Sequence, residues 1–221
     1  MSISVVLIAG VAELGVSQAA FSASLTTLFS ANNGGNTGGA VYFNIETGAN
    51  ALSITGFDTN TAELFGPTAG FEVYTKLGTA QGFEGNIGAW DLESTGTITP
   101  SGRDNPSAVD LDNPFVLEAN TLYGFALVMP SSVGHDYTNG SGCSAYVAGG
   151  NCSSSNGDLS FIGGSASNSP FSTSSPFAPR IWNGTIEYEV VAESVPEPTA
   201  LLGLVGLGCG LLVSKRNQRK S

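Results

Sequence analysis

Charge is what this chain of 221 residues has least of: 11% of its residues are Asp, Glu, Lys or Arg, and only 7 are basic. It has one histidine, His135, and 2 methionines, and the straight-chain helix formers are scarce throughout. No segment sustains an apolar repeat of helical period, so strands and turns are favoured over helices. Residues 1–198 set Lys76, Arg103 and Arg180 against all 18 acids, a net charge of −15. That balance argues against a nucleic-acid partner, because phosphate contacts need clustered Lys and Arg. No Gly-x-Ser-x-Gly elbow places a serine nucleophile beside His135, which reads as a surface-loop histidine after Val133-Gly134. The Gly-rich stretches lack the Gly-Lys-Ser/Thr of a phosphate-binding loop and read as turns. No Cys-x-x-Cys pair is present to hold zinc.

What is present is glycine (30 residues) together with short apolar stretches bounded by turn residues. Strands are expected at Ala40–Ile45, Leu52–Phe57, Phe71–Thr75, Trp90–Thr95, around Thr97–Thr99, and at Phe115–Leu117, Leu122–Met129, Leu159–Ile162 and Thr185–Val190. Leu122–Met129 is apolar on both faces and is expected to be central. Thr185–Val190 alternates, with Ile186, Tyr188 and Val190 inward and Glu187 and Glu189 outward. Asn32–Gly39 reads as a loop. Ser153–Pro179, dominated by Ser, Asn, Gly and Pro, reads as a long loop pinned by Phe161, Phe171 and Phe177, with disorder as the alternative. The fold class is therefore all-β, a single antiparallel β-sandwich of jelly-roll type over residues 20–192.

Three groups of residues in this body invite a functional reading. Cys143 and Cys152 stand close in sequence, while Cys209 lies in the apolar C-terminal run. A Cys143–Cys152 bridge in an oxidising compartment would close a short loop and stabilise by about 2–3 kcal/mol; the alternative is two free thiols in a flexible loop. Asp104, Asp110 and Asp112 share one loop-like stretch with Asn105 and Asn113, oxygen donors of the kind Ca²⁺ takes, though no EF-hand spacing is present and a solvated acidic loop competes. Trp90, Tyr137, Tyr146 and Trp182, with Arg180, Asp136 and Asn139, are the set that could stack on and hydrogen-bond to a glycan. Core packing is the competing role for both tryptophans, whereas Tyr146, between the cysteines, is expected to be exposed. A glycosidase would need two carboxylates facing each other across a cleft, and the sequence selects no pair.

The two ends differ from the body. Ser4–Val16 is apolar, and Ser17-Gln18-Ala19 supplies small residues for cleavage after Ala19, so residues 1–19 read as a signal peptide handled by the Sec machinery. No base precedes this run and Glu13 interrupts it. A start site further upstream would supply the basic segment, and a first core strand is the alternative. Residues 193–221 fall into three blocks: Val195-Pro196-Glu197-Pro198, stiff and non-helical; the uncharged apolar run 199–214; and a basic end, 215–221, with Lys215, Arg216, Arg219 and Lys220. As a helix the 16-residue run would be about 24 Å long against a hydrocarbon core of about 30 Å, so the flanking bases would have to snorkel on the cytoplasmic side.

This order of blocks resembles the PEP-CTERM sorting signal of Gram-negative bacteria that secrete exopolysaccharide. The resemblance implies an exosortase, a membrane-embedded processing enzyme, that cuts near Pro196-Glu197-Pro198 after transient anchoring in the inner membrane; a permanent single-span anchor is the alternative on composition alone. The ordered series Ile54–Asp58, Val73–Lys76, Gly88–Leu92, Tyr123–Phe125, Asp136–Gly140 and Pro179–Gly184 is similar to a recurrent bacterial extracellular β-domain of no assigned activity. Together these resemblances imply an exported protein delivered to the cell surface or extracellular matrix, with a structural or adhesive role in exopolysaccharide. A carbohydrate-binding module is the second reading and a polysaccharide hydrolase the third. No catalytic residue and no cofactor other than Ca²⁺ is expected.

Overall fold

A computed structural model describes residues 21–62 and 68–191. The expected signal peptide, the Val195–Pro198 motif and the apolar and basic parts of the tail lie outside the described residues. Among those described, the chain is all-β. The strands are β1 (Ser22–Thr26), β2 (Asn33–Thr37), β3 (Ala40–Thr47), β4 (Leu52–Thr59) and β5 (Ala69–Leu77). They continue with β6 (Asp91–Ile98), β7 (Ser107–Leu117), β8 (Leu122–Val128) and β9 (Gly134–Asn139). The last four are β10 (Ser153–Ser155), β11 (Leu159–Ser167), β12 (Phe177–Trp182) and β13 (Gly184–Val190).

These strands form one antiparallel sheet in the order β1-β13-β4-β7-β6-β5-β8-β3-β11-β12-β9-β2, with β10 added on β11. The sheet curls so that its halves face each other across one core, a sandwich-like arrangement made from a continuous sheet. Alternation fills that core: Phe71 and Val73 from β5, Tyr123, Phe125 and Leu127 from β8, and Val41, Phe43 and Ile45 from β3 all point inward. Leu52 and Ile54 of β4 and Ile186 and Tyr188 of β13 close it from the other half. A bulge at Thr55 lets Ile54 and Phe57 both face inward. β8 lies between β5 and β3, as its two apolar faces predict.

Two stitches hold the curl. Thr61 bridges His135 of β9, and the Asp136 amide donates to the Asn60 carbonyl at 2.9 Å, tying the end of β4 to β9. On the other flank Asn156 Nδ2 donates to the Ser24 carbonyl (2.9 Å) and to Tyr188 Oη (2.7 Å), so the edge strand β1 is capped beside β10. Capping of this kind protects an edge from pairing with a second molecule.

Several expectations are corrected. Asn32–Gly39 contains β2, an edge strand templated by β9 despite its Asn and Gly content. Ser153–Pro179 is not one long loop. It includes β10 and the nine-residue β11, which pairs with β3 over its whole length. The Gly163-Gly164-Ser165 segment of β11 has loop-like composition because bulk is excluded there: a Cβ on Gly164 would collide with the Tyr146 ring. Asp110 and Asp112 stand on β7, an 11-residue strand, and not in a loop.

Candidate functional site

The sequence-predicted aromatics are placed by the core. Trp182 is 1% exposed, stacked 5.2 Å from Phe43 with edge contact to Phe57 at 6.1 Å, and its Nε1 donates to Thr59 Oγ1 at 2.9 Å. Tyr137 is 3% exposed and pairs across strands with Trp182. Trp90 is buried outside the main core, its Nε1 donating to the Phe83 carbonyl at 2.9 Å. None of these rings offers a face for a sugar. The glycan-contact expectation for Trp90, Tyr137 and Trp182 is therefore corrected, and their competing role as packing residues holds.

Tyr146 is also corrected, and its position explains the disulfide loop. Cys143 and Cys152 are bridged, with Cα atoms 6.0 Å apart. The ten-residue loop turns its tyrosine inward onto β11, where Tyr146 Oη donates to Glu84 Oε1 at 2.8 Å and lies 2.7 Å from Ser165 Oγ. The sequence offered no sign that a short bridged loop could half-bury its aromatic, because the space for the ring is left by Gly164 of β11. A second small core forms here on the outer face of β3, β5 and β8. The 78–90 connection, the disulfide loop and the segment around Phe171 cover Tyr42, Tyr74 and Ala126. Phe171 makes ring contacts with Tyr42, Tyr74 and Trp90, and its amide donates to Tyr42 Oη at 3.0 Å. Gly124 is required beneath the 78–90 connection, since a Cβ would sit 2.7 Å from the Ala80 nitrogen.

Burial pushes the phenols of Tyr42 and Tyr74 up to about 12, with Glu72 adding to the rise at Tyr74. Burial, with Glu84 adding to it, pushes Tyr146 further in the same direction. All three stay protonated, and Tyr146 and Tyr74 serve as donors to Glu84 and Glu72. Tyr146→Phe removes the donor to a carboxylate that is 9% exposed, and a loss of about 2 kcal/mol is expected in urea unfolding, with Ser165 left as the remaining partner. A change below about 0.5 kcal/mol would show that Glu84 does not depend on this bond.

The carboxylates proposed for calcium do not converge. Asp104 accepts from the Ala31 amide at 2.7 Å and from Asn60 Nδ2 at 3.1 Å, bonds that hold its carboxyl below the usual range. Asp112 accepts from Thr95 Oγ1 across the β6–β7 ladder, and Asp110 pairs with Thr97. Among the described residues no group of three or more His, Cys, Asp or Glu is placed to hold a metal. Arg103 is committed to Asp136, which is 1% exposed, through an ion pair of 3.5 Å. His135, read from sequence as a surface histidine, is 1% exposed on β9 with Nε2 3.0 Å from the Leu127 carbonyl.

Two surfaces retain ligand chemistry. At the β12–β9–β2 edge, Arg180 lies 5.7 Å from the ring of Phe177, which is 46% exposed, and 5.6 Å from that of Tyr137. Asn139, paired with Arg180 in register, accepts from Asn33 Nδ2 at 2.9 Å. Phe177 is the exposed aromatic that the sequence reading took only for a pin. The second surface is a groove of about 440 Å³ on the ends of β5, β6 and β8, lined by Gly70, Glu72, Thr95, Gly96, Val128 and Pro130 among others. Register places Glu72 between Thr95 on β6 and Val128 on β8. No sequence motif marks it, because its residues come from three separate strands.

The fold thus defines a class, an acidic, disulfide-bonded, all-β body with a sandwich-like core. Beyond that class, no protein-family model matches the chain and no curated protein matches it.

Proposed function

We propose that this chain is an exported protein of a Gram-negative bacterium, sorted by a PEP-CTERM tail to the cell surface or extracellular matrix, where a jelly-roll-like body serves a structural or adhesive role within exopolysaccharide. The observation that carries the reading is the block order of Val195-Pro196-Glu197-Pro198, the uncharged run 199–214 and the basic end. The two prolines keep the motif extended and accessible to a processing enzyme, an exosortase, while the apolar run holds the chain in the inner membrane. The basic end stays on the cytoplasmic side. The Cys143–Cys152 bridge supports export, since such bonds persist in oxidising compartments. Acidic outer faces on a capped sheet suit a protein that must stay soluble at high local concentration.

The test is fractionation of the native host. Pro196→Ala combined with Glu197→Ala is expected to leave the protein in the inner membrane with its tail attached, read by intact mass. Release at the wild-type level with the tail removed would overturn the sorting assignment.

A second reading, a carbohydrate-binding module, is favoured by the groove over Gly70, Glu72 and Thr95. It is compatible with the first, since a matrix protein that grips polysaccharide is adhesive by that means.

A further inference from the structure

We propose that the groove on the ends of β5, β6 and β8 binds a neutral, hydroxyl-rich polysaccharide chain, an inference that rests on the carbohydrate-binding reading above and names its site and ligand class. The groove's volume of about 440 Å³ falls within the range of about 300–1,000 Å³ usual for small-ligand sites. Its polar side chains are a carboxylate, Glu72, and a hydroxyl, Thr95, set opposite each other on neighbouring strands. Each has a supporting partner. Tyr74 Oη donates to Glu72 Oε2 at 2.9 Å, and Thr95 Oγ1 donates to Asp112. The remaining acceptor capacity of Glu72, Asp112 and Thr95 suits hydroxyl donors, because a carboxylate oxygen can accept more than one hydrogen bond. Val128 and Pro130, both half-buried, present aliphatic surface to the C–H faces of a sugar.

Charge decides between kinds of glycan. No Lys, Arg or His lines the groove, and the region from residue 1 to 198 carries −15. An acidic chain would meet like charge at Glu72 with no cation to offset it, whereas a neutral chain meets acceptors for its hydroxyls. The Phe177–Arg180 edge, which does carry a cation, has the opposite preference.

The experiment is calorimetric titration of the full-length protein with neutral hexasaccharides (cello-, xylo- and mannohexaose) and with hexagalacturonate. A Cβ at Gly70 has nothing within 4 Å, so Gly70→Trp can fill the groove without displacing the strand. Binding of at least one neutral hexasaccharide is expected, with affinity reduced about tenfold or more in Gly70→Trp at an unchanged Tm. Glu72→Gln, which keeps the shape, is expected to weaken the same binding about threefold to tenfold and serves if Gly70→Trp does not fold. Phe177→Ala is expected to leave it unchanged. Neutral binding that survives Gly70→Trp, or is lost in Phe177→Ala, overturns the groove and leaves the carbohydrate reading standing. Preference for hexagalacturonate overturns the neutral class in the same way. Binding to none of the four sugars overturns the carbohydrate reading together with the groove.

Discussion

Trp182→Ala is expected to lower the free energy of unfolding by about 4 kcal/mol, at the upper end of what one truncated core side chain removes. The indole stacks 5.2 Å from Phe43, contacts Phe57 at 6.1 Å and Phe161 at 6.2 Å, and bonds Thr59 through Nε1. It therefore joins β3, β4 and β11 from the last residue of β12, at the point where the chain passes from one half of the curled sheet to the other. Removing it leaves a cavity between rigid β-strands that cannot collapse into it, and strands the Thr59 hydroxyl, which is fully buried. Against a total of about 5–15 kcal/mol for an ordinary domain, such a loss leaves a barely folded protein. Urea unfolding followed by near-ultraviolet circular dichroism reads the effect, and a loss below about 1.5 kcal/mol would mean that the indole is not the junction described. One consequence is practical: loss of glycan binding in this variant would report unfolding and not a lost contact.

The second large effect is in pH. His135 is buried, and desolvation lowers its pKa from 6.5 to about 4 against a smaller opposing contribution from the Leu127 carbonyl. The unfolded chain takes up a proton near pH 6.5 and the folded one does not until about pH 4. Between those values the unfolded state binds more protons, so stability falls as pH falls and is unaffected above the unfolded pKa. The expected loss from this group between about pH 7.5 and 4.5 is about 3 kcal/mol, with little further loss below the folded value. His135→Gln should flatten the pH dependence by that amount, whatever it costs at neutral pH. The difference between the two urea-derived profiles isolates the histidine from the carboxylates, and parallel profiles would refute the assignment. Among the described residues the ring's Nδ1 has no hydrogen-bond partner to accept a second proton's bond. Arg103 and the buried Asp136 beside it are tied to each other, and that neighbouring pair is retained in the His135→Gln comparison.

How legible the body was depended on side-chain chemistry. β5 and β13 could be read because their apolar residues recur at every second position and face one core, β4 because Leu52 and Ile54 do so before its bulge, and β8 because it is apolar on both faces. β2 and β9 could not, because Asn33-Gly-Gly-Asn-Thr37 and Gly134-His-Asp-Tyr-Thr-Asn139 carry turn residues and polar groups. They extend because each pairs with the other and because Arg103, the Leu127 carbonyl and Asn60 meet the buried polar groups of β9. The same holds for the site. Tyr137, Arg180, Trp182 and Asn139 were grouped from sequence alone, and β9 and β12 do pair them. Which rings remained at the surface was beyond local reading: at this edge Trp182 is buried and Phe177 is exposed.

By itself the sequence determined the all-β class, the central place of Leu122–Met129 and the unequal charge of body and tail, and it offered Cys143 and Cys152 as a pair against the alternative of two free thiols. Each of these is written in residues near one another along the chain, as alternation, spacing or composition. Only the tertiary structure decided that the sheet is continuous and curled, that His135 is inside and Tyr146 half-buried against β11, and that Glu72 and Thr95 share a groove. Those depend on strand order and on bulges such as that at Thr55, which set what faces inward and which distant strands become neighbours, and no local pattern carries that information.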